Sequence, residues 1–289
     1  MSPSSVSLLL LLSMLLAPVA AAADEPRVKE SSGLAVGSDG LIWTHSDGPN
    51  IGERVQDRNL YALNAEGAVV RTAKLGVRND DWEALASFLH QGKRHLLIAD
   101  VGDNLERRSE NQLYVVEEPA GETAPIAWKI RFRYPDKPHD CEAVAVDAKR
   151  GRVILVTKRD PVSQIYAVAL QSSDPVQMAT RLGHLQPLPK APLWAMVTHP
   201  LLAPYAHQPT GMDISPDGGR VAIVTYAYLH LWQRGAKESL EQTLMRAPDQ
   251  TLSLPGIRQY EGVAFAPEGD ALFVSEEGKA TLRRVELTP

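Results

Sequence analysis

The feature that most constrains the fold is a pattern that recurs five times along the chain after residue 30. Each copy has an alternating apolar segment with a small residue near its middle, a glycine seven or eight residues further on, and a second apolar run. Alternation on both sides of a turn glycine is typical of two antiparallel strands. The first segments of the five copies are Ser31–Val36, Trp82–Ala86, Cys141–Val146, Pro209–Ile214 and Tyr260–Phe265.

The spacing of these copies predicts the architecture. The interval between the small residues ranges from 51 residues (Gly33 to Ala84) to 68 residues (Ala143 to Gly211). Because a four-stranded propeller blade takes about 40–50 residues, each interval holds one blade and its connections. The pattern therefore predicts an all-β fold, a five-bladed β-propeller. Its innermost strands would carry these small residues and Gly262, since bulky side chains would collide around the central channel.

Ring closure and blade number depend on two segments. The last copy ends after about three strands, so an N-terminal strand at residues 26–30 is expected to close the ring and to cover exposed edges. The longest interval contains a Pro-rich insertion at residues 186–208, in which we expect Trp194 to be exposed. A six-bladed ring is the alternative if this insertion contains a degenerate blade.

Residues 1–23 have the features of a signal peptide. The run Leu8–Leu16 is largely apolar, Pro18 breaks the apolar stretch after it, and Ala21–Ala23 offers a cleavage site. The apolar stretch is short of the roughly 20 residues that span a bilayer. We therefore expect export to the periplasm or the medium. Residues 24–289 would then form a single propeller domain without a membrane span, and an uncleaved anchor is the alternative.

The charge balance argues against nucleic acid as a partner. The chain has 35 acidic and 30 basic side chains and a formal net charge of −5, whereas nucleic-acid-binding domains carry basic faces. Cys141 is the only cysteine, so no intramolecular disulfide forms, and its alternating surroundings predict a buried, inert thiol. We expect a monomer that binds a small-molecule or anionic ligand at the channel mouth.

Three glutamates share one position of the repeat, directly before the small residue. They are Glu83, Glu142 and Glu261, whereas Ser32 and Thr210 fill this position in the other two copies. If the strands are innermost, all three glutamates lie at one depth around the channel mouth. The second strands return antiparallel, so their ends reach the same face. The repeat therefore predicts an acidic mouth at one end of the channel.

Converging carboxylates in a partly dry channel repel one another and lose hydration. A hard divalent cation compensates for both effects, and Ca²⁺ accepts six to eight oxygen ligands with flexible geometry. We therefore predict Ca²⁺ bound by the three glutamates, with Asp47 and Asp100 as further ligands. Protonation of one glutamate and capping of backbone N–H groups are alternatives. Neutralisation by a basic side chain is another, with the candidates Lys158, Arg159, Arg78 and Arg107.

Few residues are candidates for catalysis. The sequence has no Gly-x-Ser-x-Gly elbow, no His-Glu-x-x-His pair and no phosphate-binding glycine loop. His45 lies beside Asp47 and is a candidate for proton transfer, with a surface histidine at a strand end as the alternative. Lys158 and Arg159 follow the second strand of the third copy and are candidates for holding an anionic group.

Two segments resemble those of exported bacterial β-propellers, namely Thr210–Gly218 (Thr-Gly-Met-Asp-Ile-Ser-Pro-Asp-Gly) and Glu261–Ala264 (Glu-Gly-Val-Ala). The resemblance is to the phytase-like and esterase-like propellers, the SdiA-regulated propellers and, more distantly, the gluconolactonase/regucalcin proteins. The lactonases differ from this chain at ligand and catalytic positions, where it has Ser32, Thr210 and Tyr226.

Similarity to the phytase-like proteins implies an acidic, calcium-occupied mouth with basic residues for phosphate. Glu83, Glu142 and Glu261 match the acidic part of that pattern, and Lys158 and Arg159 match the basic part. The resemblance thus implies a metal-dependent hydrolase of phosphate or other ester substrates. The alternative is a non-catalytic propeller that binds a protein, a glycan or a small ligand, with acidic residues that are structural.

Overall fold

The computed structural model describes residues 26–28, 30–48, 57–278 and 281–287. The predicted signal peptide at residues 1–23 lies outside this part. The described chain forms five small sheets, each built mainly from consecutive antiparallel strands. The predicted all-β, five-bladed propeller is confirmed.

The five sheets follow one another along the chain. Blade 1 contains β1 (Ser31–Val36), β2 (Ile42–Ser46), β3 (Asn59–Leu63), β4 (Val69–Leu75) and β8 (Thr123–Ala124). Blade 2 contains β5 (Trp82–His90), β6 (Lys93–Asp100), β7 (Asn111–Glu117), β9 (Ile126–Arg133) and β13 (Gln177–Met178). Blade 3 contains β10 (Cys141–Asp147), β11 (Arg152–Thr157), β12 (Gln164–Ala169) and β14 (Thr180–His184).

The last two blades are smaller. Blade 4 contains β15 (Gly211–Ile214), β16 (Arg220–Val224), β17 (Tyr228–Gln233) and β18 (Gln250–Ser253). Blade 5 contains β19 (Tyr260–Phe265), β20 (Ala271–Glu276) and β21 (Thr281–Glu286). The described helices are short: α1 (Ala195–Thr198), α2 (Leu240–Leu244) and 3₁₀ turns at Pro26–Val28, Ala148–Arg150 and Ala203–Tyr205. No helix in the described part is long and apolar enough to cross a membrane.

Two outer edges are covered by strands from the next blade along the chain. β8 leaves the second blade and pairs parallel with β4, and β13 leaves the third blade and pairs parallel with β9. Each short strand occupies hydrogen-bonding groups that an edge strand would otherwise expose. The sequence pattern gave no sign of these two crossings.

The ring closes through its innermost strands. Consecutive innermost strands contact each other, and β19 contacts β1. Among residues 26–28 and 30, which the structure describes, the predicted strand is not found, because Pro26–Val28 form a 3₁₀ turn against β2. Blade 5 has three strands in the described part. Proline has no N–H to donate to a strand ladder. The six-bladed alternative is wrong, since the described insertion at 186–208 contains helical turns and no strand.

The small residues of the repeat lie on the innermost strands, as predicted. A Cβ atom at Gly33 would lie 2.4 Å from the backbone N of Leu85, and one at Gly211 would lie 2.3 Å from the carbonyl oxygen of Glu261. The atoms that exclude a side chain at these glycines therefore belong to the innermost strand of the next blade. Small residues here allow neighbouring blades to approach closely, which explains their recurrence at one repeat position.

Candidate functional site

The glutamates of the repeat lie at irregularities in the innermost strands. In β5 the pairing shifts between Trp82 and Ala84, and in β10 between Cys141 and Ala143, so Glu83 and Glu142 occupy β-bulges. Glu261 lies within the similar irregularity of β19. A bulge leaves its extra residue out of the ladder and re-aims the side chain. All three side chains are buried.

Loop carboxylates join these glutamates and form the acidic mouth, which we define as Asp47, Asp81, Glu83, Asp140, Glu142, Glu261 and Glu277. Two groups of three stand out. They are Asp47–Asp81–Glu83 and Glu83–Asp140–Glu142. In each group, every residue offers one carboxylate oxygen that lies within 4.8 Å of the oxygens offered by the other two. Glu83 belongs to both. The first group contains Asp47, one of the further ligands expected from the sequence, together with Asp81, which directly precedes β5.

Basic side chains pair with two members of the second group, Glu142 and Asp140. Lys158 donates through Nζ to both carboxylate oxygens of Glu142 and, at 3.0 Å, to the Tyr226 hydroxyl. Arg159 Nε donates to Asp140 Oδ2 at 2.7 Å. Among the basic residues predicted from the sequence, Lys158 thus pairs directly with one of the repeat glutamates. Arg78 instead forms an ion pair with Asp80.

The ion pair affects the pKa of both partners. Burial raises the pKa of Glu142, and although Lys158 opposes the shift, the pKa reaches about 7. Burial alone would lower the pKa of Lys158, but Glu142, Tyr226 and Glu261 hold it well above its usual value. Lys158 is therefore a permanent buried cation, and Glu142 is a carboxylate that can exchange a proton near neutral pH.

The first group has no such cation. Within residues 30–48 and 57–278, no Lys or Arg forms an ion pair with Asp47, Asp81 or Glu83. Glu83 accepts a hydrogen bond from Ser32 Oγ at 3.0 Å. Burial, followed by the Asp81 charge, raises the pKa of Asp47 to about 8. The pKa of Glu83 is likewise raised well above its usual value, first by burial and then by the Asp47 charge.

Two glycines pack directly on the first group. A Cβ atom at Gly102 would lie 2.5 Å from Asp81 Oδ2 and from Glu83 Oε1, and one at Gly48 would lie 2.6 Å from Asp81 Oδ1. Burial raises the pKa of Asp81 to about 6 although Arg108 opposes the shift. The site therefore combines unpaired, desolvated carboxylates with backbone that leaves space at their oxygens. Sequence reasoning missed the role of both glycines.

Asp100 and Glu261 lie outside both three-carboxylate groups. Asp100 forms a buried ion pair with Arg108 at 2.6 Å and accepts a hydrogen bond from the Asp81 amide at 3.1 Å. It therefore positions Asp81. The carboxyl group of Glu261 hydrogen-bonds Glu277. Burial, followed by the Glu277 charge, raises the pKa of Glu261 well above its usual value.

His45 and Cys141 are core residues. The His45 ring packs edge-to-face on Trp82 at 5.7 Å, its Nδ1 lies 3.0 Å from the Ser46 carbonyl oxygen, and burial lowers its pKa. These contacts favour a neutral ring between blades 1 and 2. Cys141 is buried, as predicted, and its burial raises the pKa of the thiol. Neither contributes an atom to the carboxylate groups of the acidic mouth.

The insertion lies beside the mouth. Its residues Ala195 and Ala203 pack in one apolar cluster with Tyr226, the hydrogen-bonding partner of Lys158. Several of its large apolar side chains are exposed, including the predicted Trp194. The most exposed are Leu193 (88%), Val197 (83%) and Leu201 (83%).

No protein-family model and no curated protein matches the chain in sequence. Among solved structures, the chain is similar in fold to one chain of a nidogen/laminin complex, with a TM-score of 0.41 and 11% sequence identity. The match covers 90% of this chain and 81% of that chain. The assignment as a β-propeller rests on the five sheets themselves, and no family match supports the more specific resemblance to phytase-like or SdiA-regulated proteins.

Proposed function

We propose that the acidic mouth binds Ca²⁺ and that the protein is a metal-dependent hydrolase of phosphate or other esters. The observation that carries the proposal is the group Asp47–Asp81–Glu83, three carboxylates within 4.8 Å of one another that lack a cationic partner in the described part. Burying like charges without compensation is costly. Protons take the compensating role at low pH, and a divalent cation takes it when the carboxylates ionise.

The donor set suits a hard cation. Carboxylate oxygens are the ligands that Ca²⁺ prefers, and its coordination shell of six to eight ligands accepts irregular geometry. Gly48 and Gly102 keep Cβ atoms away from the oxygens of Asp81 and Glu83. Asp100 holds the backbone of Asp81 through its amide. Backbone and neighbouring side chains thus fix the group before an ion arrives.

A bound ion would polarise an ester oxygen or lower the pKa of a coordinated water. The chain supplies the other functions. Glu142 has a pKa of about 7, raised by burial, so it is suited to accept and return a proton near neutral pH. When Glu142 takes up a proton, the charge of Lys158, which lies between Glu142 and Tyr226, is no longer neutralised and becomes available to an anionic substrate group. These assignments give Lys158 the anion-holding role expected from the sequence.

The test is hydrolysis of 4-nitrophenyl phosphate and 4-nitrophenyl acetate by the chelator-treated full chain, with and without added Ca²⁺. We expect turnover of at least one ester that requires Ca²⁺ and is lost in Glu83→Gln. Glu117→Gln is the matched control, because Glu117 is exposed and pairs with Lys93 away from the mouth. The absence of calcium-dependent turnover with both esters, or full activity in Glu83→Gln, would contradict the hydrolase proposal.

Export belongs to the same proposal. Cleavage after residue 23 would deliver a propeller of residues 24–289 to the periplasm or the medium. N-terminal sequencing of the exported protein should find a first residue at or close to Asp24. Exported protein that retains Met1 would indicate an uncleaved anchor.

One observation favours a non-catalytic binding propeller as the second candidate. The insertion exposes Leu193, Trp194 and Val197 beside the mouth, and contiguous exposed apolar side chains mark interaction surfaces in soluble proteins. Under this alternative the carboxylates are structural. Failure of the ester assays together with intact Ca²⁺ binding would favour it, whereas calcium-dependent turnover would favour the hydrolase.

A further inference from the structure

The end of the channel opposite the acidic mouth holds a cavity of about 450 Å³. The innermost strands begin at the acidic mouth and end here. Each blade contributes at least one apolar side chain from the end of its innermost strand, namely Val36, Phe88, Val146, Ile214 and Phe265. Cavities of this size with apolar walls and a few polar groups are typical of small-molecule sites. We refer to this cavity as the opposite mouth.

Two basic residues line the opposite mouth without a carboxylate partner in the described residues, namely Arg94 and Lys149. Arg94 donates through Nη1 to the Ser87 hydroxyl at 2.7 Å. Lys149 donates to the Asp217 carbonyl oxygen at 3.1 Å. Both partners are neutral. The two positive charges are therefore available to a ligand.

Arg94 also has an unsatisfied donor. Its Nε is buried and makes no hydrogen bond within the described part of the chain. A buried donor without a partner is costly and is rare in folded proteins. The Nε–Nη2 edge of a guanidinium matches two oxygens of a carboxylate or a phosphate in a bidentate pair. Because Nη1 is used by Ser87, this edge is the part of Arg94 left for an anion, and since Nε is buried, the bidentate pair requires the guanidinium to shift towards the cavity.

The two acidic residues of the cavity do not cancel this charge. Asp147 already forms ion pairs with Arg150 at 3.3 Å and with Arg234 at 3.2 Å. Asp213 accepts a hydrogen bond from the Phe265 amide at 2.8 Å, and burial raises its pKa to about 7 although that amide and the Arg94 charge oppose the shift. The lining contains three basic residues, since Arg234 joins Arg94 and Lys149, against the two acidic ones. The cavity therefore carries an excess of positive charge even when Asp213 is ionised.

We propose that the opposite mouth is a binding site for a small organic anion, in which an apolar body lies among the five strand-end side chains and a carboxylate or phosphate group pairs with Arg94 and Lys149. The site is independent of the acidic mouth, so either proposal can fail without the other. Under the two proposals, one end of the channel binds a cation and the other end binds an anion.

The probe is 2-naphthoate, with uncharged 2-naphthamide as a control of the same shape, titrated into the full chain by calorimetry. We expect 2-naphthoate to bind about tenfold more tightly than the amide, since a charge-assisted pair adds roughly the free energy of a tenfold change in affinity. Arg94→Gln should weaken naphthoate binding about tenfold, and Arg94→Lys should weaken it less because the charge remains. Lys149→Gln should weaken it about threefold.

The matched control is Arg181→Gln, because Arg181 is exposed on β14 and bonds only a neutral side chain, Gln164, in the described part. This variant should bind 2-naphthoate like the unmodified chain. Circular dichroism should show that all variants remain folded, and if Arg94→Gln does not fold, Lys149→Gln decides. The proposal is overturned if 2-naphthoate does not bind at millimolar concentration, if it binds no better than 2-naphthamide, or if the folded Arg94 and Lys149 variants bind it unchanged.

Discussion

Lys158 and Glu142 form a buried ion pair at the mouth of the channel, with only 4% of each residue exposed. Lys158 directly follows β11, and Glu142 occupies the bulge of β10, the innermost strand of the same blade. The pair converts one of the repeat glutamates from an unpaired charge into half of a neutral unit. It also separates the acidic mouth into a neutralised part and a part without a cation.

Removing Lys158 should therefore be costly. Lys158→Met leaves the Glu142 carboxylate buried without its partner, and we expect the free energy of unfolding at pH 8 to fall by about 3 kcal/mol in denaturant titrations. Lys93→Met breaks the exposed Lys93–Glu117 pair and should cost less than about 1 kcal/mol. Equal losses in the two variants would contradict a stabilising role for the buried pair.

The carboxyl groups of the mouth should make stability depend on pH. The folded-state pKa is raised to about 8 for Asp47, mainly by burial, and to about 7 for Glu142. The folded protein then binds more protons than the unfolded chain between about pH 4 and pH 8. This stabilising contribution is complete below about pH 4 and is lost as the pH rises through the folded-state values.

Measured in chelator, the free energy of unfolding should thus decrease from pH 6 to pH 9. Saturating Ca²⁺ should reduce this decrease, because the ion binds the ionised carboxylates. Stability that rises steadily from pH 6 to pH 9 in chelator would show that these groups are not desolvated in the folded protein.

The close approach of neighbouring blades can be tested at Gly211. In Gly211→Ala the new Cβ would lie 2.3 Å from the Glu261 carbonyl oxygen, so strands β15 and β19 must separate. We expect the free energy of unfolding to fall by about 1–3 kcal/mol. Gly76→Ala is the control, since Gly76 has no atom within 4 Å of its Cβ position, and its effect should stay within about 0.5 kcal/mol.

Gly102 offers a test of the space beside the carboxylates. Gly102→Ala places a methyl group against Asp81 and Glu83, so their oxygens must move. We expect Ca²⁺ affinity, measured by calorimetry, to fall about tenfold or more. Gly121→Ala, at an open position, should leave the affinity unchanged. Unchanged affinity in Gly102→Ala would place any bound ion elsewhere.

Most of the fold was predictable from the repeat, because each copy contains two apolar strands joined by a glycine turn. A small residue also recurs wherever innermost strands of neighbouring blades touch. The repeat also assigned Glu83, Glu142 and Glu261 to equivalent positions, and all three lie buried at irregularities of their innermost strands. The crossings of β8 and β13 were not predictable, since strands of two residues leave no periodic signal. Residues 26–30 were misjudged because pairing was inferred from ring closure rather than from their own composition.

The finer structure of the site depends on features that a strand pattern does not show. A bulge shifts the strand pairing by one residue, and the local amino-acid composition does not predict where it occurs. Asp81 and Asp140 lie in loops next to those bulges, so their distance from Glu83 follows from backbone geometry rather than from repeat position. Arg94 is one of many arginines in the sequence, and its place in the opposite mouth emerges only when the five strand ends are brought together.

The most direct test of the central claim is calorimetric titration of Ca²⁺ into metal-free full chain at pH 8, combined with thermal unfolding. We predict saturable binding and a higher melting temperature, with stabilisation of about 2.7 kcal/mol at a hundredfold excess over Kd. Mg²⁺ should stabilise less because it requires a tighter octahedral shell, and Glu83→Gln should lose the response while Glu117→Gln keeps it. No binding heat and an unmoved melting temperature, in protein shown beforehand to be metal-free, would contradict the claim that the acidic mouth is a cation site.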